Sequence, residues 1–336
     1  MLANKSLFVA LLCTSISGKP VHHFAWFAGD RDAIQTDSLF LNTKAIEGAQ
    51  ILYTWRFLER GRDGYDFSEV RQNLEFLKSH GKKLWIQLQD VSFDESRVNV
   101  PEYLLKDSTY HGGVARTYRV RGENDSSVKM SGWVARRWDP AVQERFAKLL
   151  MALGKEFDGE ITGINLPETA LEYGNTGKFF PAGFTHESYR AAIKTNLAAL
   201  KKAFPKSIAM QYANFVPGEW RPDADKGYLS GVYDFAKSIG AAVGGPDLMP
   251  SRPGQMKSSY PLIRDAAGVV PTGLAVQDDN LAEQDPKTGK PVTACDLIRF
   301  ATDDLKLDYI FWGTQEPYYS KDVIPTLRSL GTAARR

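Results

Sequence analysis

Two hydrophobic rhythms alternate along this chain. Short apolar runs, rich in β-branched and aromatic residues, fall at Val21–Phe27, Ala49–Arg56, Lys83–Asp90, Ile161–Thr169, Ile208–Asn214, Ala241–Asp247, Val269–Gln277 and Asp308–Gly313. Runs of this length, closed by Gly, Pro, Asn or Asp, read as buried strands. Between them the apolar positions recur every three or four residues. Phe67, Val70, Leu74 and Leu77 share one helix face, opened by Asp66 and closed by Gly81. Asp139-Pro140 opens a second helix carrying Val142, Phe146, Leu149, Leu150 and Leu153, with Asp as the cap and Pro in the first turn. Tyr189, Ile193, Leu197 and Leu200 mark a third, ended by Pro205, and weaker helical patterns cover 37–47, 228–239, 260–266, 294–305 and 323–330.

Strand and helix thus alternate about eight times with no change of composition and no linker rich in Gly, Ser or Pro. That order predicts an α/β protein, a single-domain (β/α)8 TIM barrel, in which parallel strands are joined by crossover helices. An open doubly wound sheet is the competing architecture, but no Gly-rich phosphate loop follows the first strand.

Three stretches depart from the rhythm. From Val91 to about Trp138 the sequence is polar and irregular, with Arg119, Arg121 and Trp133, and Leu171–Phe184 is aromatic and glycine-rich. Long connections in a compact domain are expected as lids or cleft walls. At the N-terminus, Lys5 precedes the apolar residues 7–13 and the small residues 14–18, the layout of a secretory signal peptide. Residues 1–18 are therefore expected to be a signal segment and 19–336 the barrel, in a secreted or periplasmic protein with no stable membrane association.

Charge narrows the function. The 336 residues carry 42 basic and 40 acidic side chains, a formal net charge of +2, with Lys and Arg dispersed, so no nucleic-acid footprint is expected. The five histidines include His22-His23 but no metal-ligand spacing, so neither metal nor cofactor is expected, and His22-His23 reads as a structural pair. Cys295 reads as a small buried helix residue.

Laid on a barrel, the strand ends collect a ring of side chains. Trp55 and Arg56 follow strand two and Gln89 and Asp90 strand three, while Asn165 and Glu168 follow strand four. Tyr212 and Asn214 follow strand five, Asp247 strand six, Gln277, Asp278 and Asp279 strand seven, and Trp312, Gln315 and Glu316 strand eight. Carboxylates, amides and indoles grip and cleave sugars, because aromatic faces stack on pyranose rings and a carboxyl pair supplies acid and nucleophile or base. Trp55 and Trp312 also admit a plain core role, and Asp278 and Asp279 a turn role; Glu59 reads as structural, tied to Arg56 or Arg60.

The run Trp55-Arg56-Phe57-Leu58-Glu59-Arg60-Gly61, followed by Tyr65-Asp66-Phe67-Ser68, resembles the second-strand signature of retaining (β/α)8 glycoside hydrolases of the β-galactosidase and cellulase superfamily. The resemblance implies a general acid/base after strand four, a nucleophile after strand seven and a sugar-lining Trp after strand eight. Here Leu166 and Pro167 separate Asn165 from Glu168, and Gln277-Asp278-Asp279 stands where a Glu is usual.

The expectation is a monomeric glycoside hydrolase acting on a poly- or oligosaccharide, with Glu168 and Asp278 catalytic and Asp279 and Glu316 as further carboxylates. Substrate contacts are expected from Trp55, Arg56, Gln89, Asn165, Tyr212, Asp247, Gln277 and Trp312. A carbohydrate-binding barrel without chemistry stays open, as does a metal-dependent hydrolase built on Asp247, Asp278 and the histidines.

Overall fold

The computed structural model describes residues 19–219, 226–277, 280–286 and 288–333. The expected signal segment, residues 1–18, lies outside them. Eight strands close into a parallel barrel, with β1 (His22–Trp26) hydrogen-bonded to both β2 (Ile46–Thr54) and β8 (Tyr309–Gly313). Around the ring lie β3 (Lys83–Gln89), β4 (Gly163–Leu166), β5 (Ile208–Tyr212), β6 (Ala242–Gly245) and β7 (Thr272–Val276), in sequence order. The expected (β/α)8 barrel is the architecture of this chain.

The helices follow their periodicity. Ser68–Ser79, Pro140–Phe157, His186–Ala203 and Tyr228–Ser238 bury the stripes read from sequence. Asp139 caps the second through bonds to the amides of Ala141 and Val142 at 2.9 and 3.3 Å. Thr185 and Ser188 form a reciprocal capping box on the third.

The helix expected over 37–47 is shorter. Asp37 caps a single turn, Ser38–Asn42, and Ile46 already pairs with His23 in the sheet. Lys82 fixes this switch, because its buried ammonium donates to the carbonyls of Thr43 and Ile46 at 2.9 and 2.6 Å. Tertiary pairing here overrides a weak helical pattern.

The 91–138 connection has structure of its own. A helix at Glu102–Lys106 is followed by Val114–Arg121 and Ser127–Ala135, which pair antiparallel, with Val91–Ser92 on the outer edge. This hairpin leans on the 171–184 loop, the amide of Tyr118 donating to the carbonyl of Glu172 at 3.3 Å.

Inside the barrel Phe24, Trp85, Met210, Tyr212 and Phe311 pack together, the Trp85 and Phe311 rings 4.8 Å apart. Gly163 leaves room for them: a Cβ there would stand 2.8 Å from the Trp85 ring and 2.9 Å from the Ile208 carbonyl oxygen. Polar side chains share this interior as a hydrogen-bonded network, in which Gln50 Oε1 alone of the Gln50 amide atoms has no partner among the described residues. Oδ1 of Asn165 accepts from Nε2 of Gln50 and Nε1 of Trp85, both at 3.0 Å, and Gln50 also donates to the Tyr212 hydroxyl at 2.9 Å. Buried polar groups paired in this way stabilise one packing arrangement.

Candidate active site

The C-terminal ends of β4, β5 and β6, roofed by the hairpin, enclose a cavity of about 400 Å³ whose lining includes Glu168, Asn214 and Asp247. Loops after barrel strands open on one face, which brings these residues together from distant parts of the chain. Pro167 ends the pairing of β4, and Glu168 follows at once.

Removal from water pushes the Glu168 carboxyl up to about 7, with the Asp247 carboxylate adding to the rise. Nδ2 of Asn214 donates to Oε2 of Glu168 at 2.6 Å, and this bond and the positive charge of Arg137 act in the opposite direction. Arg137 also donates to the backbone carbonyl of Glu168 at 3.3 Å and to the Tyr189 hydroxyl at 2.9 Å. It is fixed by a two-pronged pair with Asp90 at 2.9 and 2.5 Å, both side chains no more than 3% exposed. Asp90, which ends strand three in sequence, thus supports the backbone behind Glu168.

Asp247 holds a left-handed backbone conformation, φ 62°, just past β6. Arg252 pairs with its carboxylate at 3.1 Å, Asn280 and Gln255 donate to it at 3.3 and 3.4 Å, and the Tyr260 hydroxyl bonds its carbonyl. These contacts fix the orientation of the Asp247 carboxylate at the cavity wall. Arg252 also bonds Glu283 at 2.5 Å.

The residues expected at the rim divide. Glu168 and Asp247 line the cavity. Gln89 ends β3 with a buried Oε1 that has no hydrogen-bond partner among the described residues. Asn165 and Tyr212 belong to the interior network. Gln277 follows β7, its amide donating to Asn280 Oδ1 at 2.7 Å. Asp278 and Asp279 lie outside the described residues.

The other four stand away from the cavity. Trp55 is fully buried against Phe146, 5.0 Å between rings, and donates to Glu59 at 2.7 Å. Trp312, inside β8, is fully buried and donates to Nδ1 of His23 at 3.1 Å. Alternation explains the second case, since its neighbour Phe311 points into the barrel. Arg56 lies on the surface near Glu102, at 4.0 Å, and Glu316 is exposed and bonded to Ser320. Glu59 is structural as expected, yet its partners are Arg145 at 2.5 Å and the Tyr103 hydroxyl at 3.0 Å rather than Arg56 or Arg60.

Sequence reading missed Arg252 and Gln255, which reach Asp247 from the short helix Pro253–Lys257 and the residue before it. The lid reading had drawn in Arg119, and this residue does line the cavity.

Among the described residues no cluster of three or more His, Cys, Asp or Glu is placed to hold a metal. His22 pairs with Glu47 at 2.5 Å and His23 with Trp312, both at the start of β1, the end of the barrel opposite Asp247. Also among the described residues, no helix is long and apolar enough to cross a membrane.

Comparison with solved structures gives the same fold. The catalytic domain of a β-amylase from Paenibacillus polymyxa superposes with TM-score 0.55 at 10% identity over 87% of this chain and 93% of its own. A single-site variant of a GH5_18 protein from Bifidobacterium longum, in complex with Manβ1-4GlcNAc, gives 0.53 at 12% over 94% and 78%. Xylanase 10B from Thermotoga petrophila, in complex with xylobiose, gives 0.51 at 10% over 87% and 82%. No family model and no curated protein matches the sequence. The shared architecture is the closed parallel (β/α)8 barrel.

Proposed function

We propose that this protein is a glycoside hydrolase, with Glu168 as the general acid. The observation that carries the proposal is the state of Glu168: a carboxyl pushed up to about 7, opening on a cavity at the strand-end face. Glycosidic cleavage needs one carboxyl that stays protonated near neutral pH and a second that stays ionised. Asp247, held by Arg252, Asn280 and Gln255, is the described carboxylate that acts electrostatically on Glu168, and it is the ionised partner in this reading. Asp278 remains the alternative partner on the strength of its place after β7.

In the proposed reaction Glu168 gives its proton to the leaving oxygen as the glycosidic bond breaks. Water completes the reaction at the anomeric carbon: either Asp247 takes a proton from a water that adds there directly, or Asp247 itself adds first and Glu168, now a carboxylate, takes the proton of the water that displaces it. Asn214 holds the Glu168 carboxyl in one orientation, and Arg137 fixes the backbone beneath it. The barrel neighbours, which include proteins crystallised with Manβ1-4GlcNAc and xylobiose, support a carbohydrate substrate.

A digestion screen over polysaccharides, reading new reducing ends, tests the proposal. Release from at least one glycan is expected. Glycan binding with no release from any would instead favour a binding barrel. Export is part of the proposal, resting on residues 1–18, and N-terminal sequencing of secreted protein that begins near Gly18 to Val21 would support it.

A further inference from the structure

The cavity that holds Glu168 is lined by three aromatic residues, Phe93, Tyr118 and Phe215. Two of them are already packed against protein. The Tyr118 ring stands 5.4 Å from that of Phe179, and Phe215 is half-buried against Gly254, where a Cβ would come within 3.1 Å of its ring. Phe93 differs: it is 60% exposed, the only exposed aromatic among the described residues. The other large apolar residues left in water, Val128, Met151 and Val269, line no part of this cavity.

A single exposed Phe is ordinary on a protein surface. This one is held in place by the chain on both sides of it. Val91 and Ser92 pair with Val134 and Trp133 at the edge of the hairpin, and Nδ2 of Asn99 donates to the Val91 carbonyl at 2.6 Å. Oγ of Ser92 accepts from the amide of Asp94 at 3.1 Å, and the Asp94 carboxylate takes the amide and hydroxyl of Ser96 at 2.8 and 2.7 Å. Nε1 of Trp133 closes the turn on the Glu95 carbonyl at 2.9 Å. Gly132 permits the close approach, since a Cβ there would collide with the Ser92 carbonyl and stand 3.0 Å from Cα of Phe93. A ring with two rotatable bonds on a backbone tied this closely loses little freedom when a ligand covers it.

We propose that Phe93 is a sugar-stacking platform, and that the unit seated on it is a pyranose with an unbroken face of axial C–H groups, as in β-linked glucose and xylose chains. The choice of a sugar rests on the hydrolase reading; the place and the ring class rest on Phe93. A phenyl ring carries no donor or acceptor, so it recognises a ligand through an apolar face alone. A chair with equatorial hydroxyls offers that face, and a furanose does not. Because Phe93 and Glu168 line one cavity, the seated unit belongs to the part of the chain where the bond is broken.

The test titrates hexasaccharides of β-linked glucose, β-linked xylose and, as the furanose control, arabinan into the Glu168→Gln protein, which does not consume them. At least one pyranose chain should bind more tightly than arabinan. Adding Phe93→Ala should weaken that chain about tenfold, Phe93→Leu should stay weak although it is apolar, and Phe93→Trp should bind at least as tightly as the parent. Unfolding midpoints should not move, since the ring is exposed. With Glu168 in place, Phe93→Ala should raise KM more than it lowers kcat. No binding of either pyranose chain, arabinan bound as tightly, full affinity in Phe93→Leu, or a Phe93→Ala protein within about twofold of its parent would overturn the inference. Reducing-end release that Phe93→Ala leaves unchanged would overturn it too, yet leave the hydrolase reading intact. Phe93-dependent binding of a pyranose chain without release by the wild type would support the inference and remove the hydrolase.

Discussion

Asn214 donates a 2.6 Å hydrogen bond to Glu168 while its own Oδ1 is buried with no partner among the described residues. The amide therefore stabilises the ionised carboxylate, and it works against the desolvation that dominates at this site. Asn214→Ala removes that opposition. The alkaline limb of kcat/KM, expected near pH 7, should move up by about one pH unit, the equivalent of one charged hydrogen bond. An unmoved limb would mean that Glu168 is not the group titrating.

The Asp247 carboxylate pushes the Glu168 proton affinity up, so neutralising it has the opposite sign. Asp247→Asn should move the alkaline limb down and lower turnover by about a hundredfold or more. If Asp278→Asn abolishes turnover and Asp247→Asn only shifts the limb, Asp278 is the ionised partner. Product stereochemistry measured by NMR would then decide between retention and inversion.

Much of this fold was legible in the chain because both rhythms are strong. Strands such as β3 and β8 contain the runs Leu84–Leu88 and Ile310–Trp312, and the helix from Pro140 carries its own start signal in Asp139. Glu168 could be found because Pro167 marks the end of its strand. Trp55 and Trp312 misled, since an aromatic residue at a strand end reads alike whether it faces the barrel axis or the helices. Inside the wall, period two assigns Trp312 to the helix side only once the register that sets Phe311 beside Phe24 and Trp312 beside Ala25 is known. Arg252 and Gln255 carried no signal, because their role depends on how the chain turns after Asp247.

Arg137 and Asp90 form a buried ion pair behind the site. Removing one partner leaves an uncompensated charge, so Arg137→Met should cost about 3–5 kcal/mol in urea unfolding. The double variant Arg137→Met, Asp90→Leu should recover a large part of that loss. Equal stability of the single variant and wild type would contradict the pairing.

His23 accepts a hydrogen bond from Trp312 on Nδ1, which requires a neutral ring, and burial lowers its pKa to about 4. The folded state thus binds this proton less readily than the unfolded chain. The stability it contributes is complete above pH 6.5 and is lost as pH falls toward 4. Relative to His23→Gln, wild type should lose about 2 kcal/mol between roughly pH 8 and pH 5, read from denaturant midpoints. Parallel pH curves for the two proteins would show that the ring is not held neutral.

The most direct measurement is the turnover of Glu168→Gln on a glycan that the reducing-end screen identifies, alongside its affinity for the same glycan. Loss of the acid should lower kcat by about a hundredfold to ten-thousandfold and leave the dissociation constant within roughly twofold, with no alkaline limb near pH 7. A Glu168→Gln protein that keeps most of the wild-type turnover would contradict the account.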